Sequence, residues 1–141
     1  MTDRDTVSYG REPQLDVAEF ARVLRESGLG AGRPIEDADR LAQMLSGADL
    51  IMAARLDRPD RPLVGLARCI TDFSWCCYLS DLAVSRSVQG LGVGAGLLAA
   101  TRRELGPEVS LILASMPDAV GFYERLGMPR LPDAFWYRRE R

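Results

Sequence analysis

The 141-residue chain has no histidine and only three cysteines, Cys69, Cys76 and Cys77, none of them in a C-x-x-C pair. Without imidazoles or paired thiolates the usual zinc ligand set cannot be assembled, so no metal is expected. If the stretch around Asp72-Phe73 is a hairpin turn, Cys69 and Cys76 face one another across it; a redox role stands there beside simple burial as small hydrophobes. There is no apolar run near the ~18 residues a membrane span needs. There is also no N-terminal signal-peptide pattern, so a soluble cytoplasmic protein without membrane contacts is expected. Neither sign of charge prevails: 18 basic and 20 acidic residues give a net charge of −2. That balance offers no nucleic-acid surface and no strong field for polycations, and the terminal Arg138-Arg139-Glu140-Arg141 reads as a solvated tail. Repeats, linkers and low-complexity segments are missing too. A chain of this length that is 47% hydrophobic reads as a single domain, 1–141, with one respectable core.

What the chain does have is glycine in one place. The run Val84-Ser-Arg-Ser-Val-Gln89-Gly90-Leu91-Gly92-Val93-Gly94-Ala-Gly96 joins the end of an apolar segment to a helix. Glycines let successive N–H groups turn into one concavity just where a helix start adds partial positive charge, which suits a phosphate-bearing ligand. A phosphate loop ending in Gly-Lys-Ser/Thr is excluded, because Ala95-Gly96 stands where Lys would follow. Gly90-x-Gly92-x-x-Ala95 formally fits a dinucleotide fingerprint, but that motif opens its helix directly from the first strand of a fold. Here Ser85 to Gln89 intervene and most of the chain comes first, so dinucleotide binding is a minor alternative.

Periodicity supplies the frame. Thr6 to Tyr9 reads as a short strand. Val17, Phe20, Ala21 and Leu24 mark a helix ending near Gly28 to Gly32, and Pro34, Glu36 and Asp37 open a second with Ala38, Leu41 and Leu45 inward. Leu50–Leu56, Leu63–Thr71 and Trp75–Val84 read as an antiparallel meander. A helix from Gly92 or Gly94 to Glu104 follows, then an apolar strand Val109–Ser115 suited to a sheet centre. Pro117 opens a last helix stopped by Gly127, and Ala134–Arg138 supplies a final strand. The order is β-α-α-β-β-β-α-β-α-β.

Gln89-Gly90-Leu91-Gly92-Val93-Gly94, five residues after Val84, matches the Gln/Arg-x-x-Gly-x-Gly/Ala signature that follows an aliphatic strand end in the GNAT superfamily of acyl-CoA-dependent N-acyltransferases. The later Gly121-Phe122-Tyr123-Glu124-Arg125-Leu126-Gly127-Met128 resembles that superfamily's Phe-Tyr-Glu-Lys-Leu-Gly-Phe motif, with Arg for Lys and Met for Phe. Both occur in the right order, with room between them for one helix, one strand and the start of a second helix. The resemblance covers nearly the whole chain. It implies an α+β, three-layer fold with a mixed central sheet of six or seven strands flanked by about four helices.

It also implies a reaction: acetyl transfer from acetyl-CoA to a primary amine by direct attack on the thioester, with no metal and no covalent nucleophile. By resemblance, the amides of Gln89, Gly90, Leu91, Gly92, Val93 and Gly94 bind the CoA pyrophosphate. Leu82, Ala83 and Val84 pair with the pantetheine amides, and the Leu82 N–H serves the acetyl oxygen. Tyr123 is the candidate general acid, since a phenol with a free pKa near 10 stays protonated at neutral pH; packing beside Phe122 and Leu126 is the competing reading. Phe122 belongs to the same cofactor-side motif and reads mainly as packing. Asp81, three residues before Val84, is the leading base, with hydrogen bonding to backbone amides or an outward orientation as alternatives. Gly65-x-Ala-Arg68-x-x-x-Asp72 resembles a subset of small members that includes arylalkylamine-type enzymes. That places Arg68, Asp72 and Tyr78, with Trp75, at an acceptor pocket, against a plain surface pair on a hairpin. The pattern departs from the family at Met116, where many members carry an asparagine that helps hold the pantetheine arm; Ser115, Asp118 or backbone contacts are the substitutes. A small amine is the expected acceptor, a protein N-terminus or lysine the alternative, and a homodimer is suggested by analogy alone. A non-catalytic acyl-CoA-binding module is the reading of a different class.

Overall fold

A strand that is apolar on both faces must be covered on both sides, and β2 (Leu50–Leu56) is such a strand. Leu50, Met52, Ala54 and Leu56 enter one core and Ile51 and Ala53 the other, the period-2 alternation of a pleated strand. The computed structural model, which describes residues 6–141, accordingly has three layers. On one face lies α3 (Val93–Leu105), which brings Val93, Leu97, Leu98 and Leu105 to the first core. On the other lie α1 (Val17–Ser27), with Phe20, Val23 and Leu24, and α2 (Ala38–Ser46), with Leu41 and Leu45.

Local chemistry sets the ends of these helices. The Asp16 side chain accepts from the Glu19 amide at 3.1 Å and Asp37 from the Arg40 amide at 3.0 Å, each an N-cap worth about 1 kcal/mol. Gly28, at φ 90°, closes α1 in the left-handed region. A 3-10 turn, Leu29–Gly32, then starts the connection to α2. The approach of α3 to the sheet depends on Gly96, where any Cβ would collide with the Tyr9 phenol.

Between the helical layers runs a single sheet in the order β1-β2-β3-β4-β5. β1 (Val7–Arg11), β2, β3 (Leu63–Thr71) and β4 (Cys76–Val84) form an antiparallel meander, while β5 (Ser110–Ile112) lies parallel to β4. The fold is thus α+β with a mixed sheet and four helices, the last being α4 (Val120–Arg125). Among the described residues the sheet has five strands, where six or seven were expected. Val109–Ser115 contributes only Ser110–Ile112, at an edge and not at the centre, and Ala134–Arg138 forms no strand. The physical reason is pairing: β5 bonds to β4 over three residues only, and the aromatic C-terminal segment meets no sheet edge of its own chain.

The cysteine expectation also changes. Cys76 is exposed, whereas Cys69 and Cys77 are both buried in the core under α3. Alternation along β4 turns Cys76 away from that face, and the register shift between Arg68 and Cys69 sets Cys77 opposite Thr71. Cys69 hydrogen-bonds with Cys77, and that bond, together with burial, pushes the Cys69 thiol up. Among the described residues no helix is long and apolar enough to cross a membrane, and no three His, Cys, Asp or Glu side chains group to hold a metal ion.

Candidate functional site

The pairing of β4 with β5 ends at Tyr78 and Ile112, and beyond them the two chains part. Leu79 to Val84 continue β4 beyond the last β4–β5 pair, and Leu113 to Met116 follow the end of β5. On its β3 side, β4 is paired on both sides of a register shift that skips Ser80, with Ala67 opposite Leu82, Leu66 opposite Ala83 and Gly65 opposite Val84. Leu82, Ala83 and Val84 are therefore held in the β3–β4 ladder beyond the last β4–β5 pair, with the Ala83 side chain fully buried.

The glycine loop joins the end of β4 to the start of α3. After Val84, a 3-10 turn over Arg86–Val88 is capped by Ser85, whose hydroxyl accepts from the Ser87 amide at 3.3 Å. Gln89 reaches back to donate from Nε2 to the Val84 carbonyl at 3.4 Å, tying loop to strand end. Gly90 and Gly92 take φ of 89° and 77°, a region that only glycine enters without strain, and a Cβ on either would point into open space. Leu91, between them, is exposed. The first bond inside α3 runs from the Gly96 amide to the Gly92 carbonyl, so the amides of Val93, Gly94 and Ala95 have no acceptor within their own helix. Unpaired donors, a helix start and left-handed glycines converge at one spot, which is the physical specification of an anion cradle.

Phe122 reaches this spot from α4. The Phe122 ring packs on Gly94, with its Cζ 3.0 Å from where a Cβ would sit, and the Val84 side chain lies 3.7 Å from the same point. Strand end, helix start and Phe122 thus meet at Gly94. Tyr123 stacks edge-to-face on Phe122, with centroids 5.0 Å apart, and burial raises its phenol pKa. After β5, Ser115 donates to the carbonyl of Met116, and the Met116 methyl lies 3.9 Å from the Cβ position of Gly32 in the α1–α2 connection.

A buried charged group where β3 and β4 pair is organised by Asp81. This carboxylate is 0% exposed; its Oδ1 accepts from Arg33 Nε at 2.6 Å and its Oδ2 from Arg68 Nε at 2.5 Å. Arg33 also donates to the Ser80 carbonyl at 2.9 Å, and Arg68 to the Ser80 hydroxyl at 2.9 Å. Arg68 and Asp81 are paired directly across β3 and β4, which is why they share a face. Arg33 was not found by sequence reading. Its only signal is that a buried carboxylate demands compensating donors, and nothing in the sequence says which residue 48 positions away supplies one. Tyr78 sits half-exposed in a row with Ile70 and Ile112. Asp72 lies instead at the β3–β4 turn, where Oδ1 accepts from the amides of Trp75, Ser74 and Cys76 at 2.8, 2.9 and 3.1 Å. Those bonds, that of Trp75 first, hold its carboxyl below the usual range. The structure therefore joins Arg68 to Asp81 and sets Asp72 apart in the hairpin.

A cavity of about 450 Å³ opens behind the loop on the α1 side, lined by Arg22, Arg25, Arg58 and Arg86 with Glu26 and Ser85. It flanks the cradle without belonging to the cleft.

The model of the acetyltransferase (GNAT) domain matches residues 31–134, a span that holds the cleft, the glycine loop and α4. The chain belongs to the GNAT acetyltransferase family. Among curated relatives, an uncharacterised N-acetyltransferase, ycf52, of Pyropia yezoensis is 36% identical over 83 residues, covering 55% of this chain and 48% of its own length. A ycf52-like N-acetyltransferase of Prochlorococcus marinus is 28% identical over 142 residues, covering 96% and 77%. The chain thus spans about half the length of the first of these relatives. Among solved GNAT folds, the aminoglycoside N-acetyltransferase AAC(6')-Iy, in complex with CoA, superposes with a TM-score of 0.71 at 16% identity, covering 99% of each chain.

Proposed function

We propose that this GNAT domain transfers an acetyl group from acetyl-CoA to a primary amine by direct attack on the thioester. The observation that carries the reading is the cradle itself: Gly90 and Gly92 in the left-handed region, followed by the unpaired amides of Val93 and Gly94, at the mouth of the β4–β5 cleft. A neighbouring fold that is a CoA complex supports the same choice of donor. The pyrophosphate is assigned to the amides from Gln89 to Gly94, and the pantetheine arm to the strand end Leu82, Ala83 and Val84, with Ser115 on the opposite wall. The loop has space for phosphate oxygens, because no atom lies within 4 Å of the Cβ positions of Gly90 and Gly92. Phe122, seated on Gly94, walls the cleft where the strand end meets the helix start.

The thioester is already activated, so the protein has three tasks: hold the amine at the carbonyl, stabilise the developing oxyanion and protonate the leaving thiolate. The Leu82 N–H is assigned to the oxyanion. Tyr123 is assigned to the thiolate; burial raises its pKa and keeps it a proton donor at neutral pH. Both Asp81 oxygens already hold guanidinium N–H groups, so a base role would require Arg33 or Arg68 to swing away. In the arrangement seen, Asp81 positions Arg68 and Arg33 along the acceptor side, and the amine attacks in its neutral form. Arg68 and Tyr78 border the acceptor; Asp72 acts on it only through the hairpin.

The test is release of free thiol from acetyl-CoA across a panel of amines and alcohols. The reading expects turnover on amines and none on alcohols. Tight CoA binding with no turnover on any amine would make the domain a binding module, and competition by NAD at the CoA site would revive dinucleotide binding.

A further inference from the structure

The cavity of about 450 Å³ on the α1 side of the glycine loop gathers cations in a chain whose net charge is −2. Arg22 and Arg25 enter it from α1, Arg58 from the β2–β3 turn and Arg86 from the loop itself, while Glu26 is the one carboxylate among the described residues that line it. Guanidiniums brought together from three segments repel one another unless counter-charge lies among them. Glu26 supplies only part of it. Its carboxylate accepts from Arg22 Nη1 at 3.0 Å, and the Ser85 hydroxyl, ahead of Arg22, holds its pKa below the usual range. Arg22 spends its Nη2 on the Leu63 carbonyl at 2.8 Å, and Arg58 is engaged as well. That leaves Arg25 and Arg86, both exposed and neither with a side-chain hydrogen bond or ion pair among the described residues. Arg86 passes over the end of α1: its Nη2 lies 3.0 Å from where a Cβ on Gly28 would sit, so the glycine that closes the helix also leaves room for this guanidinium.

We infer that this cavity is a second anion site, separate from the pyrophosphate cradle, and that it takes a small organic phosphomonoester other than the cofactor. Two uncommitted guanidiniums match the two charges a phosphomonoester carries above its second pKa near 6, and each offers a planar fork of donors to its oxygens. The rest of the lining is mainly apolar, with Leu56, Pro62, Leu63 and Val64, and suits the organic part. The cradle opens at the start of α3, whereas the cavity lies toward α1, which packs on the opposite face of the sheet. One short stretch of chain joins the two. The buried Ser85 donates its amide to the Val64 carbonyl at 2.8 Å, and from Arg86 the 3-10 turn leads directly to Gln89 and Gly90. A phosphate held by Arg25 and Arg86 fixes that turn against α1 and pre-orders the cradle amides, so the phosphomonoester and CoA each tighten the binding of the other. The coupling rests on the cradle being the CoA site, as proposed above; the anion binding does not.

The experiment is calorimetric titration of the full chain at about pH 8 and low salt, with phenyl phosphate and, as the bare group, inorganic phosphate. CoA is then titrated with and without phenyl phosphate. One saturable site is expected for phenyl phosphate, weakening as salt is added. In Arg25→Gln/Arg86→Gln its affinity falls about tenfold with an unchanged thermal melt, since both side chains are exposed. Saturating phenyl phosphate tightens CoA binding about fivefold, and Arg25→Gln alone abolishes that gain while keeping the CoA affinity measured without the probe. No saturable binding of either probe would overturn the inference, as would a site indifferent to the double substitution. Competition between CoA and phenyl phosphate would assign the cavity to the cofactor's own phosphates and overturn it too, and a CoA affinity indifferent to the probe would remove the coupling. Probe binding that persists where CoA fails to bind at all would refute the cofactor assignment and leave the anion site standing.

Discussion

Arg33 Nε donates to the fully buried Asp81 carboxylate at 2.6 Å, so the connection between α1 and α2 is pinned to β4 beside the cleft. Arg68 holds the second oxygen, and Ser80 accepts from both arginines. The whole group is satisfied, and removing one member leaves a buried charge short of a partner.

Arg33→Met is therefore expected to cost about 2 kcal/mol, and Asp81→Asn, which strips the charge from both arginines at once, about 3 kcal/mol. Urea denaturation measures both. Asp81→Asn with wild-type stability and a collapsed turnover rate would instead identify Asp81 as a base.

Gly92→Ala puts a Cβ at φ 77°, at a cost of about 1 kcal/mol in strain. Nothing crowds the new methyl, so the fold survives while the cradle amides rotate off their common target. A rise of roughly tenfold in KM for acetyl-CoA, with KM for the amine unchanged, is the expected kinetic signature. Equal changes in both constants would place the loop away from the cofactor.

Tyr123→Phe removes the proposed proton donor and keeps the ring that packs on Phe122. The account expects kcat to fall about 100-fold, with CoA affinity preserved. An undiminished kcat would reduce Tyr123 to packing.

Tyr9 and Tyr123 both have pKa values raised by burial. Their neutral forms are favoured in the folded state, so the associated stability is intact below the unfolded value near 10 and is lost as pH rises through the folded value. Melting temperature is expected to be insensitive to these groups up to pH 10 and to drop above it. The drop should be shallower in the Tyr9→Phe/Tyr123→Phe double variant, and an identical alkaline profile would contradict the assignment.

The sequence made the meander, the helices and the glycine loop legible because each rests on local patterning: the apolar run Leu50–Leu56, the helix face of Val17, Phe20 and Leu24, the acidic helix start at Glu36 and Asp37, and the glycines at 90 and 92. The arrangement around Asp81 was half legible. Arg68 could be named from its neighbourhood, but Arg33 is brought in by tertiary approach of a connection that has no periodicity to read. Asp72 carried a suggestive spacing, and its carboxylate is spent on turn amides, a role that spacing alone does not separate from a pocket role. The sheet edge was illegible for a related reason. Val109–Ser115 and Ala134–Arg138 both have strand composition, and composition cannot say whether a strand finds its partner within one chain.

The most direct test of the central claim is initial-rate kinetics with acetyl-CoA and the best amine varied together. Direct attack within a ternary complex predicts double-reciprocal lines that intersect and no thiol released before amine is added. Parallel lines with a burst of thiol in the absence of amine would show a covalent acetyl-enzyme and contradict the account.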